Sequence, residues 1–269
     1  IRNTARFILG NLDGFDADQL TAPAEMEELD RWAVTRLNSL IRRVFDSYDA
    51  YEFHAVSHAI NDFCVVDLSS FYFDIIKDRL YCDGENSLSR RSAQTALFLI
   101  LDAMTRMFAP ILAFTCEEIW LAMPHRSADD SRSVLFNCMV QPYEDYALPE
   151  DAMDRWARIA AVRSAVNGAL EQARADKTIG KSLETEVDVT VPAEDAFLAE
   201  LNADTLADLL IVSQVRVTVG DALSVTVAPA QGVKCARCWK VLTSVGTVAG
   251  HDTLCPRCAA VVKALPVVE

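Results

Sequence analysis

The sequence lacks a long uninterrupted hydrophobic run. Its most apolar stretch, residues 96–120, is broken by four charged side chains: Asp102, Arg106, Glu117 and Glu118. A helix that spans a membrane needs about 20 consecutive, predominantly apolar residues. The sequence therefore predicts no membrane span. Its 51% hydrophobic content over 269 residues predicts instead the buried core of a globular protein of two or three units.

The chain also lacks the features of a secreted protein. It begins Ile1-Arg2-Asn3, with no initiator methionine, no basic-then-apolar signal and no small-residue cleavage site, so we expect a piece of a longer polypeptide. Four of its eight cysteines have no pair spacing, as is typical of reduced thiols in a cytosolic protein: Cys64, Cys82, Cys116 and Cys138. These features predict a cytoplasmic location.

Basic residues are scarce. The chain has 25 Lys and Arg against 39 Asp and Glu, a net charge of −14, which argues against a broad electrostatic contact with nucleic-acid phosphates. The charge is uneven, because residues 1–230 carry 20 basic and 37 acidic residues, whereas residues 231–269 carry 5 and 2. Any nucleic-acid contact is therefore expected to be local and to involve the carboxyl-terminal segment.

Four cysteines near the carboxyl end have the spacing of a metal site. Cys235-x-x-Cys238 and Cys255-x-x-Cys258 are separated by 16 residues. Each pair can occupy a tight turn that directs two sulfurs to one point, and two such turns supply the four thiolates that a tetrahedral zinc ion binds at about 2.3 Å. We therefore predict one zinc ion. The alternatives are two disulfides in a secreted domain and a rubredoxin-like iron centre.

The remaining sequence predicts a mainly α fold. Apolar residues three and four apart predict long helices at 29–53, 54–81 and 96–121, and Pro110 is expected to interrupt the third. A further helix is predicted at 151–176, a strand at 184–191, and two strands at 214–219 and 222–227 that pair around Gly220-Asp221. Lys77 and Arg79 are expected to pair with Asp74 and Asp78 on a helix surface.

We expect three parts. An antiparallel helical bundle should occupy residues 1–148, a helix plus a small α+β unit residues 149–230, and a four-cysteine zinc module residues 231–269.

Several motifs resemble the carboxyl-terminal region of bacterial-type isoleucyl-tRNA synthetases of class I. They are Arg2-Asn3-Thr4-x-Arg6-Phe7, Ser70-Phe71-Tyr72-x-Asp74-x-x-Lys77-Asp78-Arg79, Pro110-Ile-Leu-x-Phe114-x-x-Glu117-Glu118-x-Trp120 and Lys177-x-Ile-Gly180-x-Ser182-Leu183-Glu184. The resemblance continues into Cys235-x-Arg237-Cys238-Trp239 and Cys255-x-Arg257-Cys258. The related valyl enzymes share the helical motifs but typically end in a helical hairpin, so the cysteine module favours the isoleucyl family.

The resemblance implies the anticodon-binding region of an isoleucine–tRNA ligase, which attaches isoleucine to its tRNA with ATP. The implied partners are isoleucine tRNA and the catalytic and editing domains of the same polypeptide, and the expected state is a monomer. The family's H-I-G-H and K-M-S-K-S signatures do not occur in this sequence, so no catalytic residue is predicted. The run Lys177-Thr-Ile-Gly-Lys-Ser182 is not a phosphate loop, because Ala175 stands where that motif needs glycine.

Arg237 and Trp239 are the first candidates for contact with the anticodon. Both flank Cys238, so metal binding would fix their backbone. A guanidinium can make bidentate contacts, and an indole can stack on an unpaired base. The alternatives are that Trp239 covers the zinc core and that Arg237 is a solvated charge.

Arg2, Asn3 and Arg6 form a second candidate surface for tRNA. Their spacing places Arg2 and Arg6 on one face of a helix, where they could hold the anticodon backbone. The alternative is that these residues tie the first helix to the catalytic body.

Two other function classes stay open. DNA glycosylases of the formamidopyrimidine type end in the same cysteine spacing. They use an amino-terminal proline and a basic surface, however, whereas this chain starts Ile1-Arg2 and is acidic over its first 230 residues. The second class is an interaction scaffold that zinc merely stabilises. Binding of an anticodon stem-loop of isoleucine tRNA would separate the scaffold from the tRNA ligase.

Overall fold

The computed structural model of the protein describes residues 1–265. It divides into two compact units, the first comprising Ile1–Leu80 and Glu85–Pro149, and the second Tyr81–Gly84 and Glu150–Glu269. The last four residues of the predicted zinc module, 266–269, lie outside the described residues. The sequence-based division into three parts stays a prediction.

The first unit is helical, with α-helices joined by turns and short 3₁₀ segments. Its helices are α1 (Arg2–Leu9), α2 (Glu28–Asp49), α3 (Phe53–Asp62), α4 (Phe73–Cys82, whose last two residues belong to the second unit), α5 (Leu88–Phe108) and α6 (Ala113–Ala122). The predicted interruption at Pro110 is confirmed, because α5 ends at Phe108 and α6 begins at Ala113. The second predicted helix contains a π-helical stretch, Phe63–Tyr72, between α3 and α4, which periodicity did not indicate.

Helix α5 forms the centre of this unit, since every residue from Ser92 to Phe108 is buried. The charged residues that break its apolar run are paired internally. Arg106 Nε donates to Asp102 at 2.6 Å, and Arg106 Nη2 donates to Asp129 at 2.7 Å. Among residues 1–265, no helix combines the length and the apolar composition that crossing a bilayer requires.

A second internal network corrects the expectation for Arg79. Its guanidinium donates to the fully buried carboxylate of Asp30 at 2.6 Å, not to a neighbouring acid on its own helix. The Tyr72 hydroxyl donates to the same carboxylate at 2.7 Å, and Ser92 Oγ donates to it as well. Lys77, by contrast, pairs with Asp74 on the surface at 2.7 Å, as predicted.

The second unit combines helices with a small sheet. Its further elements are α7 (Glu150–Ala175), β1 (Thr185–Val191), α8 (Phe197–Glu200), α9 (Ala203–Leu210), β2 (Gln214–Val219), β3 (Ser224–Pro229), β4 (Val233–Lys234), β5 (Val241–Leu242) and α10 (Pro256–Ala264). The predicted pairing of the strands around Gly220-Asp221 is wrong. The order is β2-β1-β3, with β1 parallel to β2 and antiparallel to β3.

Strand β1 takes the central place in the sheet, and its three valines face the core. Val187, Val189 and Val191 are buried, whereas β2 and β3 are only partly buried. The chain leaves β2 close to this strand: a Cβ at Gly220 would lie 2.6 Å from Thr190 Cγ2. A residue with a Cβ at this position would require the Thr190 side chain to shift, so glycine suits the close approach.

The cysteine module is joined to this sheet by specific contacts. Strands β4 and β5 form an antiparallel pair, and Val241 N donates to Ser213 Oγ at 2.7 Å. Lys240 is buried and pairs with Asp208, and Lys234 Nζ pairs with Glu184 at 3.0 Å. These contacts hold the module against the segment that precedes β1 and against α9.

Candidate metal centre and nucleic-acid interface

The four predicted cysteines converge on one point. The sulfurs of Cys235, Cys238, Cys255 and Cys258 all lie within 4.8 Å of one another, and all four residues are buried. Cys238 Sγ and Cys255 Sγ are 3.8 Å apart. A tetrahedral ion with metal–sulfur bonds of about 2.3 Å sets its ligand sulfurs about 3.8 Å apart, whereas a disulfide needs about 2.05 Å. The geometry fits zinc and contradicts the disulfide alternative.

Burial favours the neutral thiol at Cys238 and Cys258, so a bound cation is needed to ionise all four cysteines. Burial raises the pKa of Cys238 to about 11, and burial followed by the charges of neighbouring cysteines raises the pKa of Cys258. Burial opposes ionisation of Cys235 as well. Hydrogen bonds that backbone N–H groups donate to its sulfur outweigh this effect of burial and lower the pKa of Cys235 to about 6. Four thiolates at these distances are stable only when a divalent ion removes their repulsion. A bound zinc ion would supply folding free energy to the module.

The local backbone explains why the two C-x-x-C turns meet. Cys235 N donates to Lys240 O at 2.9 Å, and Trp239 N donates back to Cys235 O at 3.0 Å, which closes the first turn. Cys255 N donates to Cys235 Sγ at 3.3 Å and so joins the second turn to the first. The second turn then enters α10 at Pro256, a residue suited to the first position of a helix.

Trp239 is held in a conformation unusual for its residue type. Its φ of 66° lies in the left-handed region, which a bulky side chain rarely adopts outside a functional or strained site. Its side chain points outward, and 58% of the residue is exposed. The other three tryptophans, Trp32, Trp120 and Trp156, are buried. Trp239 is therefore displayed at the surface.

Trp239 lines a cleft of about 340 Å³ in the second unit, together with three basic side chains, Arg174, Lys181 and Lys234. Lys181 Nζ lies 5.9 Å from the centre of the indole ring, within cation–π range. Arg174 donates to Ser182 Oγ at 2.5 Å. Glu184, whose carboxylate accepts from Lys234, is the acidic side chain of the lining, and that bond lowers its pKa.

Arg237 lies on a different side of the module. Its guanidinium donates to the carbonyl oxygens of Cys82 and, at 3.3 Å, of Tyr81, and it lies 3.9 Å from Cys258 Sγ. Cys82 packs against the four metal-site cysteines, and Arg257 pairs with Asp83 at 3.5 Å. Arg237 thus fastens the segment Tyr81–Gly84 to the module. Its predicted contact with tRNA stays a prediction.

The second predicted surface lies on α1 in the first unit. Arg2, Asn3 and Arg6 are all exposed on this helix, so the expected helical spacing is confirmed. Arg2 Nη2 pairs with Glu118 on α6 at 2.9 Å. The structure thus groups these three residues but places them in a different unit from Arg237 and Trp239.

Sequence reasoning missed two parts of this region. Lys181 belongs to a motif that was interpreted only as a helix end and a turn, and its approach to Trp239 spans 58 positions of the chain. Cys82 was interpreted as an isolated thiol, although it lies beside the metal cysteines. The motif Lys177–Glu184 was the one sequence feature that could have indicated a functional role for Lys181, since the family resemblance included that segment. Nothing in the sequence indicated that Cys82 lies beside the metal cysteines.

Comparison with known families supports this architecture. A family model described as the anticodon-binding domain of tRNA ligase matches residues 30–189. A second model, described as the zinc finger found in FPG and IleRS, matches residues 232–261 and includes all four cysteines. The zinc-finger model alone is compatible with a DNA glycosylase, but the match to the anticodon-binding model does not favour that alternative.

Curated relatives named isoleucine–tRNA ligase match almost the whole chain. The protein from Syntrophotalea carbinolica is 46% identical over 97% of this chain, and those from Desulforamulus reducens and Geobacter sulfurreducens are 45% and 43% identical over 98%. The chain spans 29% of the length of each of these relatives. The matches confirm the resemblance to the carboxyl-terminal, anticodon-recognition portion of isoleucine–tRNA ligases. Since the first model covers more than half of its residues, the chain belongs to the family of anticodon-binding domains of tRNA ligases.

Proposed function

We propose that this chain recognises the anticodon loop of isoleucine tRNA for a longer isoleucine–tRNA ligase, and that one zinc ion holds the recognition surface in place. The observation that carries the proposal is the exposed Trp239, set beside three basic side chains on a loop closed by four cysteines. The ligation of isoleucine to tRNA, with ATP, falls to parts of the polypeptide that this chain does not contain.

The indole of Trp239 is suited to an unpaired base. Proteins that read RNA sequence select loop bases that are splayed out and stacked on aromatic rings, with about 1 to 3 kcal/mol per stacked base. Stacking needs a ring whose face is free and whose position is fixed. Trp239 meets both conditions, because it is largely exposed and its backbone is bonded within the first cysteine turn.

The charge around the ring is suited to the phosphates that flank such a base. The cleft lining contains three basic side chains, Arg174, Lys181 and Lys234, and one acidic side chain, Glu184, although the whole chain carries a net charge of −14. Arg174 also pairs with Glu171, which lies outside the lining. Lys181 Nζ lies near the Trp239 ring and makes no ion pair among residues 1–265, although its charge also helps to lower the pKa of Glu184, so its ammonium can bind an anion. A local basic cleft in an acidic protein directs an anionic loop to one place.

Zinc acts here as a structural ion. Cys235, Cys238, Cys255 and Cys258 would hold it, and their turns fix the backbone that presents Trp239. Arg237 contributes by holding the segment Tyr81–Gly84 against the same module. The antiparallel arrangement of the bundle, a monomeric state, a cytoplasmic location and a tRNA contact by Arg237 belong to this proposal as well. For Arg2, Asn3 and Arg6, both interpretations from the sequence stay open here: a tRNA contact, or attachment of α1 to the catalytic body.

A charge reversal at Lys181 tests the proposal. We expect Lys181→Glu to weaken binding of a labelled anticodon stem-loop of isoleucine tRNA about tenfold, and to reduce the slope of log Kd against log salt by about one, because one cation–phosphate contact is lost. The matched control is Lys263→Glu, an exposed lysine of the same unit on α10 outside the cleft lining. Fluorescence anisotropy at several salt concentrations measures both quantities.

Two outcomes would contradict the proposal. Equal effects of the two reversals would show that the cleft is not the contact and that only net charge matters. Absence of binding by the unaltered, zinc-loaded chain at micromolar concentration would favour the interaction scaffold that the sequence left open.

A further inference from the structure

Helix α6 presents an apolar face to solvent. Phe114 is 94% exposed and Leu121 is 61% exposed, and the two lie seven positions apart, on the same side of the helix. The opposite side of the helix carries Cys116, Ile119 and Trp120, which are buried. Helix α6 therefore carries large apolar side chains on both sides, although only one side contacts the core of its unit.

The apolar surface extends beyond α6. The 3₁₀ turn Val134–Phe136 is anchored to α6, because Glu117 Oε2 accepts from Val134 N at 3.1 Å. Leu135 and Phe136 of this turn are both exposed, as is Leu112 just before the helix. Several large apolar side chains exposed on neighbouring segments are unusual on a free protein and indicate a contact site.

The beginning of the chain lies at this surface. Glu118 stands between Phe114 and Leu121 on the exposed side of α6, and its carboxylate pairs with Arg2 at 2.9 Å. Arg6, one turn further along α1, is exposed on the same side of that helix as Arg2. Any polypeptide that precedes residue 1 would therefore enter the molecule beside Phe114 and Leu121.

In the curated relatives such a preceding polypeptide exists. This chain corresponds to 29% of their length, at their carboxyl-terminal region. We infer that the exposed face of α6, together with Leu112, Leu135 and Phe136, is the docking surface for the part of the ligase that precedes residue 1. The covering surface should be apolar, with a carboxylate opposite Arg6.

This assignment also decides between the two interpretations of the first helix. Arg2 is already paired with Glu118, and the exposed side chains of this face are mainly leucine and phenylalanine, with Arg132 lying over the ring of Phe136 and pairing with Asp130. RNA needs cations for its phosphates, whereas a protein surface needs apolar area to bury. The composition of this face favours protein.

Side-chain footprinting of the longer polypeptide tests the inference. Hydroxyl radicals oxidise exposed aromatic and aliphatic side chains, and peptide mass spectrometry locates the product. We expect the oxidation rate of Phe114 and Leu121 to fall at least fivefold in the full-length ligase relative to this 269-residue chain. Tyr51 is the internal control, since it is 81% exposed and lies outside this face, and its rate should be the same in both proteins.

A second measurement uses variants of the full-length ligase. Phe114→Ser combined with Leu121→Ser should raise the oxidation rates of Leu112 and Phe136 at least threefold toward those of this chain, whereas Tyr51→Ser should not. Both altered side chains are exposed, so circular dichroism should show unchanged helix content.

Three results would overturn the inference. Equal oxidation of Phe114 in the two proteins would show that the face stays open in the ligase. Protection that appears in this chain alone, with a doubled mass at high concentration, would assign the face to a second copy. Protection that appears only when tRNA is added would assign it to RNA.

Discussion

Replacement of Trp239 by glycine separates the two interpretations of this residue. If the indole covers the zinc core, Trp239→Gly destabilises the module and releases the ion. If the indole is a stacking platform, the module stays folded. It could even become more stable, because the left-handed backbone at φ 66° suits glycine and costs other residues about 1 to 2 kcal/mol. The substitution should therefore remove the ring without disturbing the metal site.

The expected loss of RNA affinity follows from the exposed area of the ring. With a tryptophan side chain of about 250 Å² that is 58% exposed, about 145 Å² is available, and a base stacked on one face covers about half of it. About 70 Å² at about 25 cal/mol per Å² gives about 1.8 kcal/mol, or about a 20-fold rise in Kd. This value lies within the range of about 1 to 3 kcal/mol for base–aromatic stacking.

The assay is a titration of the labelled anticodon stem-loop, with zinc content measured on the same samples. Tyr51→Gly is the matched control, because Tyr51 is also an exposed aromatic residue in the left-handed region, at φ 58°. We expect a 20-fold weakening for Trp239→Gly, no change for Tyr51→Gly and one zinc ion per chain in both. Equal effects of the two substitutions, or zinc loss from Trp239→Gly alone, would refute the reasoning.

Two further predictions concern stability and the metal. Asp30→Asn should lower the free energy of unfolding by about 3 to 5 kcal/mol in urea titrations, because it leaves the mostly buried Arg79 without its carboxylate. The control Asp74→Asn, on the surface, should lower it by less than about 1 kcal/mol. Similar losses for the two substitutions would show that the internal network is not stabilising. Removal of zinc with a chelator should expose Cys82 to alkylation, whereas Cys64 in the first unit should stay protected. Peptide mass spectrometry measures the alkylation of each cysteine. Equally slow alkylation of Cys82 with and without zinc would show that the metal does not hold this segment.

The features that could be predicted from the sequence are those set by local spacing. The stripe in α2 and the interruption at Pro110 depend on residues within a few turns of one another. The metal site was predictable because each C-x-x-C turn defines its own geometry and the ion unites the two turns. The short distance between the sulfurs of Cys238 and Cys255 follows from that chemistry.

The features that could not be predicted depend on contacts between distant segments. Arg79 has acidic neighbours on its own helix, yet it pairs with Asp30, 49 positions away, because that buried carboxylate needs a positive partner. Strands β2 and β3 are joined by a short connection that suggests a hairpin, but β1, whose three valines are buried, lies between them. Lys181 meets Trp239 only because the module packs beside the segment that precedes β1.

The dependence of anticodon binding on zinc tests the central claim most directly. The measurement is the affinity of the full chain for the anticodon stem-loop of isoleucine tRNA and for a stem-loop with a different anticodon, before and after removal of the metal. We predict that the zinc-loaded chain prefers the isoleucine stem-loop and that removal of zinc abolishes this preference, because the loop that carries Trp239 unfolds. An unchanged preference in a chain shown to be free of metal would contradict the account.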